Sequence, residues 1–160
     1  MPDNTLEGSA DLQDASTMPG DVVAHGFVVN NSNSTKTFVW DRVAVDVPTP
    51  WASAICDLNN CYLPFVSTKE FELEAGEEGT MDVHIYPGGN PGVLNGATPG
   101  VGTVTIRIYE LDNPTNEEFG TFTFTITDGV SSVTYIEHEK IEIYPNPELN
   151  AFQLLSLIHI

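Results

Sequence analysis

Hydrophobic and polar residues alternate over much of the chain, and this alternation predicts β-strands. Between residues 70 and 86, apolar side chains take every second position on both sides of a turn at residues 75–79. These apolar positions are Phe71, Leu73, Met81, Val83 and Ile85. Successive side chains of a strand point to opposite faces. The pattern therefore predicts a β-hairpin with one buried face and one face in water.

Other stretches also have the composition of strands. Residues 22–29 are rich in β-branched and aromatic side chains and end at an Asn- and Ser-rich turn. Residues 103–109 and 121–127 alternate apolar with polar side chains, after a Pro- and Gly-rich loop at residues 87–102. Runs of this kind, bounded by turn residues, predict short strands.

The run at residues 37–47 differs because its alternation changes phase. Trp40 and Val43 fall on the same side only if one extra residue is inserted between them. A β-bulge inserts such a residue, so we expect a bulge at this point. Pro48 and Pro50 follow and predict the end of the strand, since proline cannot donate to a sheet ladder.

These patterns together predict an all-β fold. No window has a sustained 3.6-residue period, which a helix would need. Six or seven short strands in roughly 110 residues favour an antiparallel immunoglobulin-like β-sandwich of about seven strands. A small closed barrel is the alternative architecture.

The composition suggests one main domain with flanking segments. We expect a flexible N-terminal segment or first strand at residues 1–20, the sandwich at residues 21–128, and a linker at residues 129–140. A length of 160 residues suits one domain with short flanks. The 41% content of hydrophobic residues is sufficient for a core.

The charge of the chain excludes several classes of partner. There are 5 Lys and Arg against 23 Asp and Glu, which gives a formal net charge of −18. Without a basic surface, binding to nucleic acid or to an anionic membrane is not expected. No stretch is long and apolar enough for insertion into a membrane. The acidity itself predicts solubility and mutual repulsion of the chains.

Two cysteines, Cys56 and Cys61, flank a short polar segment. A structural disulfide, a metal site and a redox site are the three candidate interpretations. Two thiols fall short of the four ligands of a typical zinc site, and the spacing differs from the CxxC of thioredoxin-like proteins. The favoured prediction is a disulfide, which implies an oxidising compartment outside the cytosol.

Motifs for catalysis are missing from the sequence, so we expect no enzyme and no cofactor. The chain has no Gly-x-Ser-x-Gly elbow, no HExxH and no phosphate-binding glycine loop. A metal site using His84 with nearby carboxylates is a weaker hypothesis. A binding surface is suggested by His84 together with aromatic residues at Tyr62, Tyr86 and Tyr109.

The C-terminal part contains a recognisable motif. A short apolar strand, Ile141–Ile143, is followed by Tyr144, Pro145, Asn146 and Pro147, and Phe152 begins a second alternating strand. Residues 141–154 resemble the opening of the C-terminal sorting domain of type IX secretion substrates. The resemblance implies export across the outer membrane of a Bacteroidetes-type bacterium, with the type IX machinery as a partner.

We expect this sorting domain to be truncated. The last six residues, 155–160, correspond to the translation of a transposon-end adapter and are interpreted as an artefact. The chain also opens without a basic and apolar signal peptide, and we interpret this as a lost start. The expected location of the mature protein is extracellular or on the outer cell surface.

A looser resemblance covers most of the rest. Trp51, the two cysteines and the stretches at residues 81–87 and 104–109 are similar to small immunoglobulin-like domains that precede such sorting signals. The preferred hypothesis is therefore a secreted binding or spacer module without catalytic activity, whose partner is a surface protein or polysaccharide. An accessory domain of a larger secreted hydrolase and a weak metal-binding surface protein are the alternatives.

Overall fold

The computed structural model describes residues 5–11, 21–93, 95–127, 140–146 and 151–157, with side chains for residues 21–93 and 95–127. Its strands are β1 (Thr5–Asp11), β2 (Val22–Ala24), β3 (Phe27–Val29), β4 (Lys36–Asp46), β5 (Ala52–Asp57), β6 (Thr68–Leu73), β7 (Glu78–Tyr86), β8 (Gly100–Glu110), β9 (Asn113–Thr127), β10 (Lys140–Asn146) and β11 (Ala151–Leu157). Among the described residues, no helix is long and apolar enough to cross a membrane.

Two sheets form a sandwich, as the alternation predicts. The first sheet has the order β1-β9-β8-β4-β6, and all of its neighbours are antiparallel except the parallel pair β1 and β9. In the second sheet β7 pairs with β2, β3 and β5, all antiparallel. The predicted all-β class and immunoglobulin-like sandwich are confirmed.

The core lies between the sheets and includes the predicted inward positions, together with Ile55 of β5, a strand that the sequence did not predict. The largest side chains with less than 2% exposure are Trp40, Phe38, Phe122, Phe124, Ile55, Leu73, Met81, Ile85, Ile106, Val28, Val83 and Val104. They come from both sheets in one continuous cluster. Burying each such side chain stabilises the fold by about 1.5 to 3 kcal/mol, so this cluster provides the main driving force for folding.

The predicted bulge in β4 is confirmed. The pairing of β4 with β8 shifts register between Arg42 and Ala44, which leaves Val43 as the extra residue. The strand ends at Asp46, before the two prolines. The run at residues 22–29 is divided into β2 and β3, but both pieces keep the same register against β7, with Ala24 opposite Val83 and Phe27 opposite Thr80.

The predicted hairpin of residues 70–86 is wrong, although its buried positions are right. β6 pairs with β4 in the first sheet, whereas β7 belongs to the second sheet. The turn between them, in which Gly76 has a left-handed φ of 75°, therefore carries the chain from one sheet to the other. Alternation defines which face of a strand is buried but not its neighbour, and both arrangements bury the same side chains.

Asn30 holds this crossing in place. Its side chain is fully buried, and its Nδ2 donates to the carbonyl oxygens of Ser34 (2.8 Å), Leu73 (2.9 Å) and Glu74 (3.0 Å). Its Oδ1 accepts from Ser32 N at 3.1 Å. One amide thus connects the end of β3 to the crossing after β6, and its loss would leave buried carbonyl groups without a donor.

The C-terminal strands β10 and β11 form an antiparallel pair, with Ile143 opposite Leu154 and Tyr144 opposite Gln153. Tyr144, Pro145 and Asn146 of the sorting motif lie in β10, while Pro147 lies outside the described residues. The predicted linker, apart from Lys140, also lies outside them. The proposed domain boundaries stay predictions.

We predict that Asn30→Ala lowers the free energy of unfolding by about 2 to 4 kcal/mol, because buried carbonyl groups lose their donor. Urea denaturation followed by tryptophan fluorescence measures this change. Asn33→Ala, at an exposed position of the same turn, is the matched control and is expected to change stability by less than about 0.5 kcal/mol. Equal effects of the two substitutions would contradict the role of Asn30.

Candidate functional site

The Cys56–Cys61 disulfide closes a tight loop at the end of β5. The two cysteines are bonded to each other and lie opposite one another as an isolated antiparallel bridge. Beside them, Tyr62 N donates to Ile55 O at 2.9 Å, so the loop is a small hairpin on the edge of the second sheet. The predicted disulfide is confirmed, and the described part of the chain contains no free cysteine.

A buried carboxylate organises this loop from inside. Asp57 is 5% exposed and accepts from Trp40 Nε1 at 2.9 Å, from Asn59 N at 2.8 Å and from Asn60 N at 3.1 Å. Aspartate favours such turns because its side chain accepts from backbone groups two or three residues ahead. The loop is therefore attached to the centre of the core through the Trp40 indole.

His84 lies between a carboxylate and the disulfide. Its Nδ1 is 3.0 Å from both carboxylate oxygens of Asp21, and its Nε2 is 3.0 Å from Cys56 Sγ. The register between β5 and β7 brings His84 close to Cys56. Ala54 is opposite His84 and Cys56 is opposite Asp82, all on the outer face of the sheet. The His84 side chain is nevertheless only 15% exposed, and that of Asp21 only 9%.

The tautomer of His84 follows from these partners. A carboxylate accepts only, so Nδ1 carries the proton and donates it to Asp21, and Nε2 faces the sulfur. Among the described residues, Cys56, Cys61 and His84 are the one group of three metal-type ligands, with ligand atoms within 4.8 Å of each other. Because the two sulfurs are bonded to each other, they are not thiolate ligands in this form.

The weaker hypothesis of a metal site built from His84 and carboxylates has limited geometric support. Both ring nitrogens of His84 already face other groups, namely Asp21 and Cys56. The glutamates around the crossing between β6 and β7 belong to no group of three ligand atoms in the described part of the chain. These glutamates are Glu70, Glu72, Glu74, Glu77 and Glu78.

The four residues of the predicted binding surface do not share one surface. His84 and Tyr86 lie on β7, with ring centroids 6.3 Å apart, and Tyr86 is only 8% exposed. Tyr62 packs against Trp40 at 5.6 Å. Tyr109 lies on the outer face of the first sheet, where the Arg107 guanidinium covers its ring at 4.2 Å.

Burial and nearby carboxylates change the acidity of two of these tyrosines. Burial raises the pKa of Tyr86, and the negative charge of Asp21 raises it further. Burial also raises the pKa of Tyr62, with a further contribution from the Asp57 charge. Both effects disfavour the phenolate, the first by desolvation and the second by repulsion between like charges.

A second candidate site is an exposed apolar surface at the edge of the sandwich. It combines exposed apolar residues of the bulged end of β4 with those of the loop before β6, which Arg42 joins to β4. These residues are Val43 (48% exposed), Val45 (46%), Leu63 (56%) and Phe65 (79%), and we call them the edge patch. Exposed apolar clusters of this kind commonly mark sites of interaction. Sequence reasoning did not identify it. The available signal was the apolar run at residues 63–66, which interrupts an otherwise polar loop.

The edge patch exists because β6 is shorter than β4. Pairing of β4 with β6 ends at Asp41 opposite Thr68, and beyond this point β4 pairs only with β8 among the described residues. Val45 is opposite Val104, which has no exposed surface, so both point towards the interior. Val45 is nevertheless 46% exposed, because β6 ends before it and leaves this end of β4 at the edge of the sheet.

Arg42 closes the gap between the two sheets next to this patch. Its Nη1 donates to Ser53 O at 2.5 Å and to Ser53 Oγ at 3.1 Å, and its Nη2 donates to Pro64 O. Arg42 N also donates to Ser67 O at 2.7 Å. The loop that carries Phe65 is thereby fixed against β4. Burial lowers the pKa of Arg42, because desolvation disfavours its charge.

Comparisons with known proteins identify the fold. No protein-family model and no curated protein matches the chain. The N-terminal domain of PorA superposes with a TM-score of 0.54 at 17% identity, covering 80% of this chain and 90% of that one. The CupB6 tip adhesin from Pseudomonas aeruginosa gives 0.44 at 8% identity, covering 78% of this chain and 42% of that one. The PapD-like domain 7 of human CEP192 gives 0.36 at 8% identity, covering 81% and 84%. The likeness to the PorA domain supports the sandwich fold.

We predict that stability falls above about pH 10, partly because of Tyr86. A raised pKa in the folded state means that the unfolded chain loses this proton first, so alkaline pH favours unfolding. Tyr86→Phe removes the proton and should reduce the alkaline loss of melting temperature relative to the value at neutral pH. Circular dichroism melts across the pH range test this. Parallel curves for the two proteins would contradict the assignment.

Proposed function

We propose that this protein is an extracellular binding module without catalytic activity, and that its edge patch receives an extended segment of a protein partner. The observation that carries this proposal is the exposure of Phe65 at 79%, in a loop that Arg42 attaches to β4, where Val43 and Val45 are half-exposed. A large aromatic side chain in water is a cost to the isolated domain. A partner that covers it recovers the free energy of burial.

The backbone beside the patch favours an extended partner. The β6 edge, Thr68–Leu73, carries Lys69, Glu70 and Glu72, and charged side chains of this kind discourage pairing with another chain. Beyond Asp41 the edge passes to β4, where the exposed side chains include Val43 and Val45. An added strand could pair with this segment and place alternate side chains against the patch.

The charge of the chain indicates the chemistry of that partner. A net charge of −18 attracts cationic segments and repels a second copy of the same chain. We therefore assign the patch to a partner strand that alternates apolar with basic side chains. The sequence analysis left two classes of partner, a surface protein and a polysaccharide. The proposed partner belongs to the first class.

The chemistry of the other candidate site supports a role without catalysis. An aspartate, a histidine and a cysteine converge at Asp21, His84 and Cys56, an arrangement that activates the sulfur in thiol hydrolases. Here that sulfur is bonded to Cys61 and is therefore not a free nucleophile. The disulfide fits an oxidising location outside the cytosol.

Export is proposed to occur through the type IX system. The support is the motif of Tyr144, Pro145, Asn146 and Pro147 after the short strand, together with the disulfide. On this proposal the sandwich is the exported cargo, and the secretion machinery recognises the C-terminal segment. The cargo then acts at the cell surface or in the medium.

The binding proposal predicts that a synthetic peptide of alternating valine and lysine, roughly nine residues long, binds the protein. Phe65→Ser should weaken this binding by about tenfold or more, because it removes the main apolar anchor. Isothermal titration calorimetry measures the affinity. Amide shifts of residues 42–46 and 63–67 in nuclear magnetic resonance spectra show where the peptide lies.

Phe119→Ser is the matched control. Phe119 is also exposed, at 46%, but lies on the outer face of the first sheet opposite Arg107. It should leave the affinity unchanged within about twofold. Equal effects of the two substitutions would overturn the proposed patch, and so would equal binding of a peptide with glutamate in place of lysine. Absence of binding by the valine–lysine peptide would also overturn the assigned partner chemistry.

The export proposal predicts the location of the protein in a bacterium with a type IX system. Produced there from its own gene, it should be found in the extracellular or cell-surface fraction. Replacing Tyr144 and Pro145 by alanine should retain it inside the cell, whereas Glu148→Ala should not. Immunoblots of cell fractions measure this distribution. Export that persists in a strain without the type IX machinery would contradict the proposal.

A further inference from the structure

We propose that the Cys56–Cys61 disulfide is a site of thiol–disulfide exchange, in which an external thiolate attacks Cys61 and His84 assists the departure of Cys56. This is independent of the edge patch and of the export route. A purely structural disulfide would not need His84 and Asp21 beside it, whereas the exchange reaction gives both residues a chemical role.

The two sulfurs differ in their access to solvent. Cys61 is exposed, whereas Cys56 is 6% exposed and lies on β5 against β7. An external thiolate must approach one sulfur in line with the S–S bond, so exposure favours attack on Cys61. Attack on Cys61 makes Cys56 the leaving group. Cys56 is also the sulfur that faces His84, at 3.0 Å from Nε2.

His84 is positioned to stabilise the sulfur that leaves. The Nδ1–H group of His84 donates to Asp21. When the ring carries two protons, its Nε2–H group is directed at Cys56 Sγ. A cation next to a departing thiolate accelerates its departure, because a donor already in position stabilises the negative charge that develops on the sulfur. The low exposure of His84 and Asp21 excludes most of the water that would weaken this effect.

The exchange balances as two substitutions at sulfur. In the first, the thiolate of an external thiol forms a bond to Cys61 Sγ while the Cys56–Cys61 bond breaks. Cys56 leaves with the electron pair of that bond and takes a proton from His84. In the second, another external thiolate attacks the external sulfur of the mixed disulfide, and Cys61 leaves as a thiolate. The protein gains two electrons, and the two external thiols become one disulfide.

Several titratable groups surround His84. Asp21 precedes β2, and Asp82 and Tyr86 flank His84 on its own face of β7. Asp82 is paired with His25, whose Nδ1 is 3.1 Å from its Oδ2. Burial and the negative charge of Asp21 raise the pKa of Tyr86, which disfavours its phenolate form.

The experiment is reduction of the purified protein by glutathione, quenched with acid and alkylated with N-ethylmaleimide. Mass spectrometry then follows the oxidised, mixed-disulfide and reduced forms. His84→Gln should slow the first step by roughly tenfold or more, because glutamine cannot give a proton to the departing Cys56 sulfur. Fragmentation of the mixed disulfide should place glutathione on Cys61 and N-ethylmaleimide on Cys56.

The matched control is His25→Gln, which removes the other histidine of this face and should change the rate by less than about twofold. Melting curves of each variant establish that it is folded at the temperature of the experiment. Equal rates for wild type and His84→Gln would overturn the proposal. Glutathione on Cys56 would overturn the direction of attack, and complete resistance of the wild-type disulfide would overturn the site itself.

Asp21→Asn gives a second test that keeps the imidazole. It removes the carboxylate that accepts from His84 Nδ1 and orients the ring towards Cys56, and it should slow reduction by roughly threefold. A purely structural role of Asp21 would instead loosen the loop and accelerate reduction. The sign of the change therefore separates the two roles even if His84→Gln does not fold.

Discussion

The hydrogen bond between the Trp40 indole and the Asp57 carboxylate is the contact on which both candidate sites depend. Trp40 has no exposed surface and lies in the centre of the core, while Asp57 lies at the start of the disulfide loop. A buried carboxyl group needs hydrogen-bond donors, and Trp40 and two backbone amides provide them for Asp57. The loop is therefore fixed to the core from inside, between the buried Cys56 at one end and the exposed Cys61 at the other.

In the strands that it identified by alternation, the sequence predicted which face is buried, because alternation depends only on local order. Phe122 and Phe124, for example, follow the pattern and are buried, and the change of phase after Trp40 correctly indicated the bulge at Val43. Pairing could not be predicted in the same way. Leu73 and Met81 fit one hairpin as well as two separate sheets. The choice between them depends on contacts such as Asn30 with the crossing, which join distant parts of the chain.

The candidate sites were harder to predict for the same reason. The disulfide was predictable because its partners are 5 residues apart. Asp21 and His84 are separated by 63 residues, and His84 and Cys56 by 28, so no motif brings them together in sequence. His84 was assigned to the solvent-facing side of its strand, where it lies. Its partners come from β5 and from the residue before β2, and only the fold determines them.

The arrangement of the loop also explains how a disulfide can exchange while the edge patch keeps its shape. Closing so short a loop stabilises the fold by about 2 kcal/mol in the chain-entropy model. The loop has other restraints: three donors to Asp57, the backbone bond from Tyr62 to Ile55, and the donation from Arg42 to Pro64. Opening the disulfide removes none of these directly. The segment that carries Phe65 therefore stays attached to β4 by Arg42, and the two sites can act in one domain without excluding each other.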